Sequence, residues 1–141
     1  MISAIVSVDK NMGIGYQGKL VVKNPIDMAF FVAYRQGKAL VAGYNTYHTL
    51  PEMYNSDVLC DADIFFPQGD FVIIGGEKTY KKYAAFVDEL YITFNDIEAE
   101  KVDTHFPIDY YSHLTEKQVV FKGKHDNFTF KIEHWKAKEK F

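Results

Sequence analysis

The residues with chemical reach in this sequence are one acid, Asp27, and two glycine clusters, Gly13 to Gly18 and Gly75-Gly76. Asp27 falls at the third position of a helix that Asn24-Pro25 announces, with asparagine as the N-cap and proline at the first helical position. A carboxylate there complements free N–H groups and the helix macrodipole. Phe31 follows one turn later on the same face, with Met28 and Phe30 near it, so the acid equally suits an apolar wall where it would bind a cationic or amidine-like edge. Gly75-Gly76 ends an apolar strand and a helix begins at once, which aims backbone N–H groups at one point. That geometry binds phosphate, and the same residues also make a plain tight turn. Lys78 favours an anion there and Glu77 opposes one. GIGYQG, Gly13 to Gly18, matches G-x-G-x-x-G after a strand, yet Lys19-Leu-Val-Val-Lys23 stands where the helix of a dinucleotide fingerprint should open. It reads as a mobile glycine-bearing loop beside a pocket.

The elements that must position these groups follow from period and punctuation. Ile2 to Val8 is a buried strand ended by Asp9-Lys10-Asn11, and a loop runs from Met12 to Lys23. A helix is predicted from Pro25 to about Arg35, closed by Gly37, then a strand at Ala39 to Ala42 leading into Gly43. Asn45 to Leu50 reads as a short helix stopped by Pro51, and residues 51 to 70 as a long loop with at most a turn of helix. Phe71 to Ile74 is a third strand, Glu77 to Phe86 a helix, Leu90 to Phe94 a fourth strand, and the tail from Gln118 a hairpin around His125-Asp126-Asn127. The fold class is α/β: a central mainly parallel mixed sheet with flanking helices and a C-terminal antiparallel hairpin.

The 141 residues suit a single domain over 1–141, and 48% hydrophobic content with 12 Phe and 10 Tyr excludes a disordered chain. A net charge of −3 gives no basic field for a phosphate backbone, so no nucleic-acid partner is expected. One cysteine, Cys60, and no run long enough to span a bilayer point to a soluble, cytoplasmic protein without a membrane partner. His48, His105, His113, His125 and His134 lack ligand spacing, and Asp61 with Asp63 beside Cys60 lacks a partner set, so no metal is expected. Asp103-Thr104-His105 reads as a tie between a loop and the sheet.

Six stretches in order, MISAIVSVDKNMGIGYQGKL, NPIDMAFF, AGYNTYHTL, VIIGGEKTY, LYIT and DTHFP, resemble the dihydrofolate reductase family. The resemblance is gapless from residue 1 to Thr46 and resumes from Phe71 to Pro107; DTHFP together with strand-IGG-helix-Tyr is its specific part. It implies reduction of 7,8-dihydrofolate by NADPH, with NADH possible, on a monomer that binds a small folate or pterin substrate. By the same match Asp27 would hydrogen-bond the pterin 2-amino group and N3 and favour protonation at N5, through a water admitted by the loop around Leu20, with Tyr80 near the reacting rings. Ile5, Met28, Phe31, Leu50, Ile74 and Thr93 would surround the substrate. Ser7, Ile14, Gly15, Gly43, Tyr44, Asn45, Thr46 and the run Ile74, Gly75, Gly76, Glu77, Lys78, Thr79, Tyr80 would meet the cofactor. The family's glycine pair is often joined through a cis peptide, which is the expectation for Gly75-Gly76.

Several departures matter. The family usually has tryptophan at Val22 and arginine at Tyr44, and the segment between Leu50 and Phe71 is shorter than usual, leaving no arginine for the folate carboxylate. Ala39 to Glu77 holds no Lys or Arg. Two alternatives therefore stand beside the leading one: a related pteridine or pyrimidine reductase of the same fold, such as that of riboflavin synthesis, or a non-catalytic ligand-binding or assembly descendant.

Overall fold

The computed structural model describes residues 1–49, 58–60 and 69–138. Strand β1, Ile2–Val8, lies at the centre of a seven-stranded sheet. Its parallel neighbours are β6, Phe71–Ile73, and β7, Glu89–Asn95. Beyond β6 come β4, Ala39–Ala42, and β5, Val58–Cys60, both parallel. Beyond β7 the antiparallel hairpin of β9, Glu116–His125, and β10, Phe128–Lys136, closes the other side. A mainly parallel sheet with an antiparallel edge is the expected class, and the near-continuous apolar runs of β1 and β4 suit strands covered on both faces.

Side-chain alternation assigns β1 to two cores. Ile2, Ala4, Val6 and Val8 join Ile73, Leu90, Ile92 and Trp135 under Tyr80, Tyr83, Tyr111 and Leu114. Ile5 joins Leu40, Ala42 and Val72 beneath Phe30, Phe31 and Tyr34. The last three belong to α1, Pro25–Tyr34, whose first N–H groups are capped as expected: Asn24 Oδ1 accepts from Asp27 N at 3.1 Å. Spacing of 27, 31 and 34 puts Asp27, Phe31 and Tyr34 on one helical face, toward the odd residues of β1. Tyr34 donates to Ser3 Oγ at 2.9 Å at one end of that face, and Asp27 lies by Ser7 at the other.

The remaining helices are short. They are α2, Tyr44–Thr49, and α3, Glu77–Tyr83, which tightens into a 3₁₀ turn over Ala84–Phe86 where one continuous helix to Phe86 was expected. Among the described residues, no helix is long and apolar enough to cross a membrane.

Two expectations are corrected. The stretch from Met12 to Lys23 is not wholly loop: β2, Gly13–Tyr16, and β3, Lys19–Leu20, pair as a hairpin, and β8, Thr104–His105, adds the third strand of a small second sheet. The DTHFP segment thus ties down the glycine loop itself. The span 51 to 70 contains β5, which three residues without a period could not announce; its other residues lie outside those described, except Gly69 and Asp70.

Candidate active site

The parallel strands end together, and their carboxyl ends converge on the residues with chemical reach. Register pairs Ser7 with Thr93 across β1 and β7, and Ala4 with Ile73, so Ile74 and the glycine pair leave β6 beside the second half of β1. The first turn of α1 crosses this end. There Thr93 Oγ1 donates to Asp27 Oδ1 at 2.5 Å, and the Ser7 hydroxyl lies beside the same carboxylate. Burial raises the Asp27 pKa above the ordinary carboxylate value, against the opposing pull of the Thr93 and Ser7 hydrogen bonds. The acid is half-buried, where a charge serving only the first turn of the helix could stay in solvent.

Around it Ile5, Phe31 and Ile74 belong to one cluster, as expected of a wall. Met28, 41% exposed, lies away from that cluster, and Leu50 falls outside the described residues. Tyr80 is buried and donates to Ile5 O at 2.7 Å, so its hydroxyl is committed to the strand. Burial pushes its phenol well above the ordinary value, with Tyr111 and Asp27 adding to the effect. Val22 packs instead into the third cluster, with Phe128, Phe130 and Ile132.

The second half of the site joins two turns. Gly43 N donates to Gly75 O at 2.7 Å, linking the β4–α2 turn to the β6–α3 turn. Gly75 has φ +133, a conformation open essentially to glycine, and the Gly75-Gly76 peptide is cis. Gly76 caps α3 with no side-chain hydrogen bond, and a Cβ placed on it would meet only Thr46 Oγ1, at 3.2 Å. Its backbone is therefore open on one side, facing the Thr46 hydroxyl. Thr79 turns inward, 3% exposed, with Oγ1 where a Gly43 side chain would need to be, while Lys78 is exposed. Glu77 Oε1 accepts from His105 N at 2.6 Å, which fastens α3 to β8 and uses the carboxylate that would repel an anion. Tyr44 and Asn45 are exposed, Tyr44 against the His48 ring at 4.3 Å.

The glycine loop flanks both halves. Ile14 is buried, Gly15 pairs with Leu20, and Asp103 N donates to Gly15 O at 2.9 Å. Leu20 is 64% exposed at the end of that loop and does not reach Asp27 through any described contact. A residue missed in the sequence holds the loop's base: Asp9, 2% exposed, accepts from the N–H groups of Asn11 at 2.9 Å, Gly13 at 2.7 Å and Ala99 at 3.0 Å. Burial raises its pKa, but the Ala99, Gly13 and Asn11 N–H groups outweigh that and hold it below the ordinary value. Asp9-x-Asn11 is a turn signal legible in the sequence. Among the described residues, no three His, Cys, Asp or Glu are grouped to hold a metal.

The family model described as dihydrofolate reductase matches residues 1–58. Dihydrofolate reductase type 9 of Escherichia coli is 25% identical over an alignment of 121 residues, with a coverage of 65% of this chain and 68% of that protein. The dihydrofolate reductase of Buchnera aphidicola subsp. Acyrthosiphon pisum is 25% identical over 127 residues, 75% of this chain and 78% of that one. Among solved structures, dihydrofolate reductase from Enterococcus faecalis complexed with NADP(H) and RAB-propyl aligns with a TM-score of 0.75 over 99% of this chain and 97% of its own, at 22% identity. That likeness establishes a common fold.

Proposed function

We propose that this chain is a member of the dihydrofolate reductase family and reduces 7,8-dihydrofolate to 5,6,7,8-tetrahydrofolate with NADPH, a step of one-carbon and thymidylate metabolism. The observation that carries the reading is the Asp27 carboxylate, raised in pKa by burial and held by Thr93 and Ser7 on the wall of Ile5, Phe31 and Ile74. A pterin presents an amidine-like edge, its 2-amino group and N3, that pairs with one carboxylate through two hydrogen bonds. Asp27 so placed orients the ring and favours its protonation at N5. Its own proton is too distant for direct transfer, so a water admitted past the Leu20 loop is the immediate donor in this reading.

The nicotinamide cofactor fits the second half of the site. The donors suited to a pyrophosphate are backbone N–H groups from Gly76 to Thr79, the Thr46 hydroxyl and the exposed Lys78, grouped where Gly76 leaves backbone open. Ser7, Ile14, Gly15 and Ile74 would flank the nicotinamide, and Gly43, Tyr44 and Asn45 the phosphates. When bound, the cofactor supplies the hydride, and the protein supplies position and exclusion of water. Tyr80 contributes by fixing the Ile5 carbonyl at the ring wall. The same reading takes residues 1–141 as one domain, monomeric and cytoplasmic, with no nucleic-acid or membrane partner; the net charge of −3 and single cysteine support it.

The test is oxidation of NADPH and of NADH, each with and without dihydrofolate. Dihydrofolate-dependent turnover is expected, and its absence with both cofactors overturns the reading.

A further inference from the structure

Behind the Asp27 carboxylate lies a run of buried polar side chains that the reaction as described does not use. Asn24 and Asn95 are 7% and 2% exposed. Buried amides are retained without cost only when fully paired, and these two are paired to each other and to main chain. Asn24 Oδ1 accepts from Asp27 N at 3.1 Å, and Asn24 Nδ2 donates to Asn95 Oδ1 at 2.9 Å. Asn95 Nδ2 donates to Val8 O at 2.9 Å and to Ser7 Oγ at 2.8 Å.

The direction of every bond is fixed. The Asp27 N–H can only donate, so the oxygen of Asn24 must face it and the amino group must face Asn95. The Val8 carbonyl can only accept, so the amino group of Asn95 must face it, and the second hydrogen of that group goes to Ser7. Neither amide can be turned over without setting a donor on a donor or an acceptor on an acceptor. Ser7 Oγ therefore receives a hydrogen bond and has its own single proton to give, and the acceptor beside it is the Asp27 carboxylate.

We propose that Ser7 and Asn95 are positioning residues for Asp27: the chain Asn24 to Asn95 to Ser7 to Asp27 delivers a hydroxyl proton to the carboxylate beside that of Thr93, orienting it and favouring its ionised form. Asn95 acts only through Ser7. Asn24 closes the circuit, because the residue that caps the N–H of Asp27 also starts the chain ending on its carboxylate. The groups facing Asp27 are Ser7 from β1, Thr93 from β7, the Asn24 cap on α1 and Tyr80 from α3, whose phenol is neutral at ordinary pH and committed to Ile5 O. Since burial opposes the charge on Asp27, losing the Ser7 donor must move its titration upward.

The role in turnover rests on the reductase reading, so the decisive measurement is made without substrate or cofactor. A carboxyl 13C NMR titration of Asp27 in the ligand-free protein is expected to show its midpoint raised by about one unit in Ser7→Ala, the scale of one charge-assisted hydrogen bond. Ser7→Thr, which keeps a hydroxyl, should restore the parent midpoint. Asn95→Ala should raise the midpoint by less, and the double variant no further than Ser7→Ala alone. An unchanged midpoint in Ser7→Ala overturns the proposal, as do fully additive shifts in the double variant; the Ser7 arm decides it even where Asn95→Ala fails to fold. In the active enzyme the pH profile of dihydrofolate turnover should move upward with the NMR midpoint. A moved midpoint in a protein with no such turnover would leave the network standing and remove the reductase reading.

Discussion

Thr93 Oγ1 donates to Asp27 Oδ1 at 2.5 Å, joining the first turn of α1 to a strand 66 residues further along the chain. The acid is thereby tied to the sheet as well as to its own helix, and a side chain of the same shape can keep that tie. Asp27→Asn should fold normally, since its amide oxygen still accepts from Thr93. Turnover at pH 7 should fall by roughly 10²- to 10⁴-fold, the usual contribution of a positioned acid or base. Part of the rate should return at acid pH, where substrate arrives already protonated at N5. Steady-state rates from pH 5 to 9 check this, and an unchanged rate at pH 7 would leave Asp27 a helix-capping charge alone.

Asp9 has the opposite electrostatic balance, because three backbone N–H groups overcome burial and lower its pKa. A carboxyl with a depressed folded-state pKa contributes stability above its unfolded value of about 3.9 and loses it as pH falls through the folded value. Asp9→Ala leaves the N–H groups of Asn11, Gly13 and Ala99 without their acceptor and should cost about 2–4 kcal/mol at pH 7. The loss should shrink as pH falls below about 3.9, where the unfolded chain's Asp9 takes up its proton first and the folded carboxyl follows only at its lower value. Urea midpoints of parent and variant at pH 7 and pH 3 measure both parts; an equal difference at the two values would contradict the assignment.

What the sequence made legible, and what it did not, divides by the distance over which each signal acts. The Asn24-Pro25 cap and the 27, 31, 34 spacing are local, so α1 and its inward face could be read directly. The strand, paired glycines and helix at 71 to 83 were readable for the same reason. Strand β5 was not, because three residues carry no period and its pairing with β4 is long-range. Asn95 gave no signal either: an asparagine at the end of a strand is unremarkable until its partners Ser7 and Val8, 88 and 87 residues away, are in place. The Asp9 turn was visible locally, whereas its third donor, Ala99, comes from the segment after β7, 90 residues along the chain.

Gly76→Ala separates cofactor binding from stability. The added Cβ would lie 3.2 Å from Thr46 Oγ1 and near nothing else, a tight contact that a hydroxyl rotamer relieves. Destabilisation of at most about 1 kcal/mol is expected, in the range of ordinary surface and turn substitutions. The methyl would nevertheless stand over the open backbone where a pyrophosphate approaches, so NADPH affinity should fall at least about tenfold, or about 1.4 kcal/mol. Fluorescence titration of cofactor beside a thermal melt distinguishes the two effects. Parent affinity in the variant would return the pair to an ordinary turn.

Cofactor choice follows from which charges are missing. From Ala39 to Glu77 the chain holds six carboxylates, Glu52, Asp57, Asp61, Asp63, Asp70 and Glu77, and neither Lys nor Arg. The two among the described residues are both engaged: Asp70 pairs with the N-terminal amine at 2.6 Å and Glu77 Oε1 accepts from His105 N at 2.6 Å. An Arg–phosphate contact is charge-assisted and often bidentate, worth on the order of 1.5–3 kcal/mol, or roughly ten- to a hundredfold in affinity. This segment supplies none for the 2′-phosphate of NADPH. Lys78, exposed at the start of α3, is a point charge without the fork that recognises phosphate in two places, and it weakens the loss without replacing the contact. NADPH should therefore be preferred over NADH by less than about a hundredfold in kcat/KM, and dihydrofolate over a dihydropterin without the glutamate tail by a similarly small factor. Raising salt from 50 to 300 mM should narrow both ratios, because a lone exposed lysine is screened within about 10 Å. Ratios well above a hundredfold in both pairs at low salt would mean that positive charge from elsewhere in the chain reaches the site.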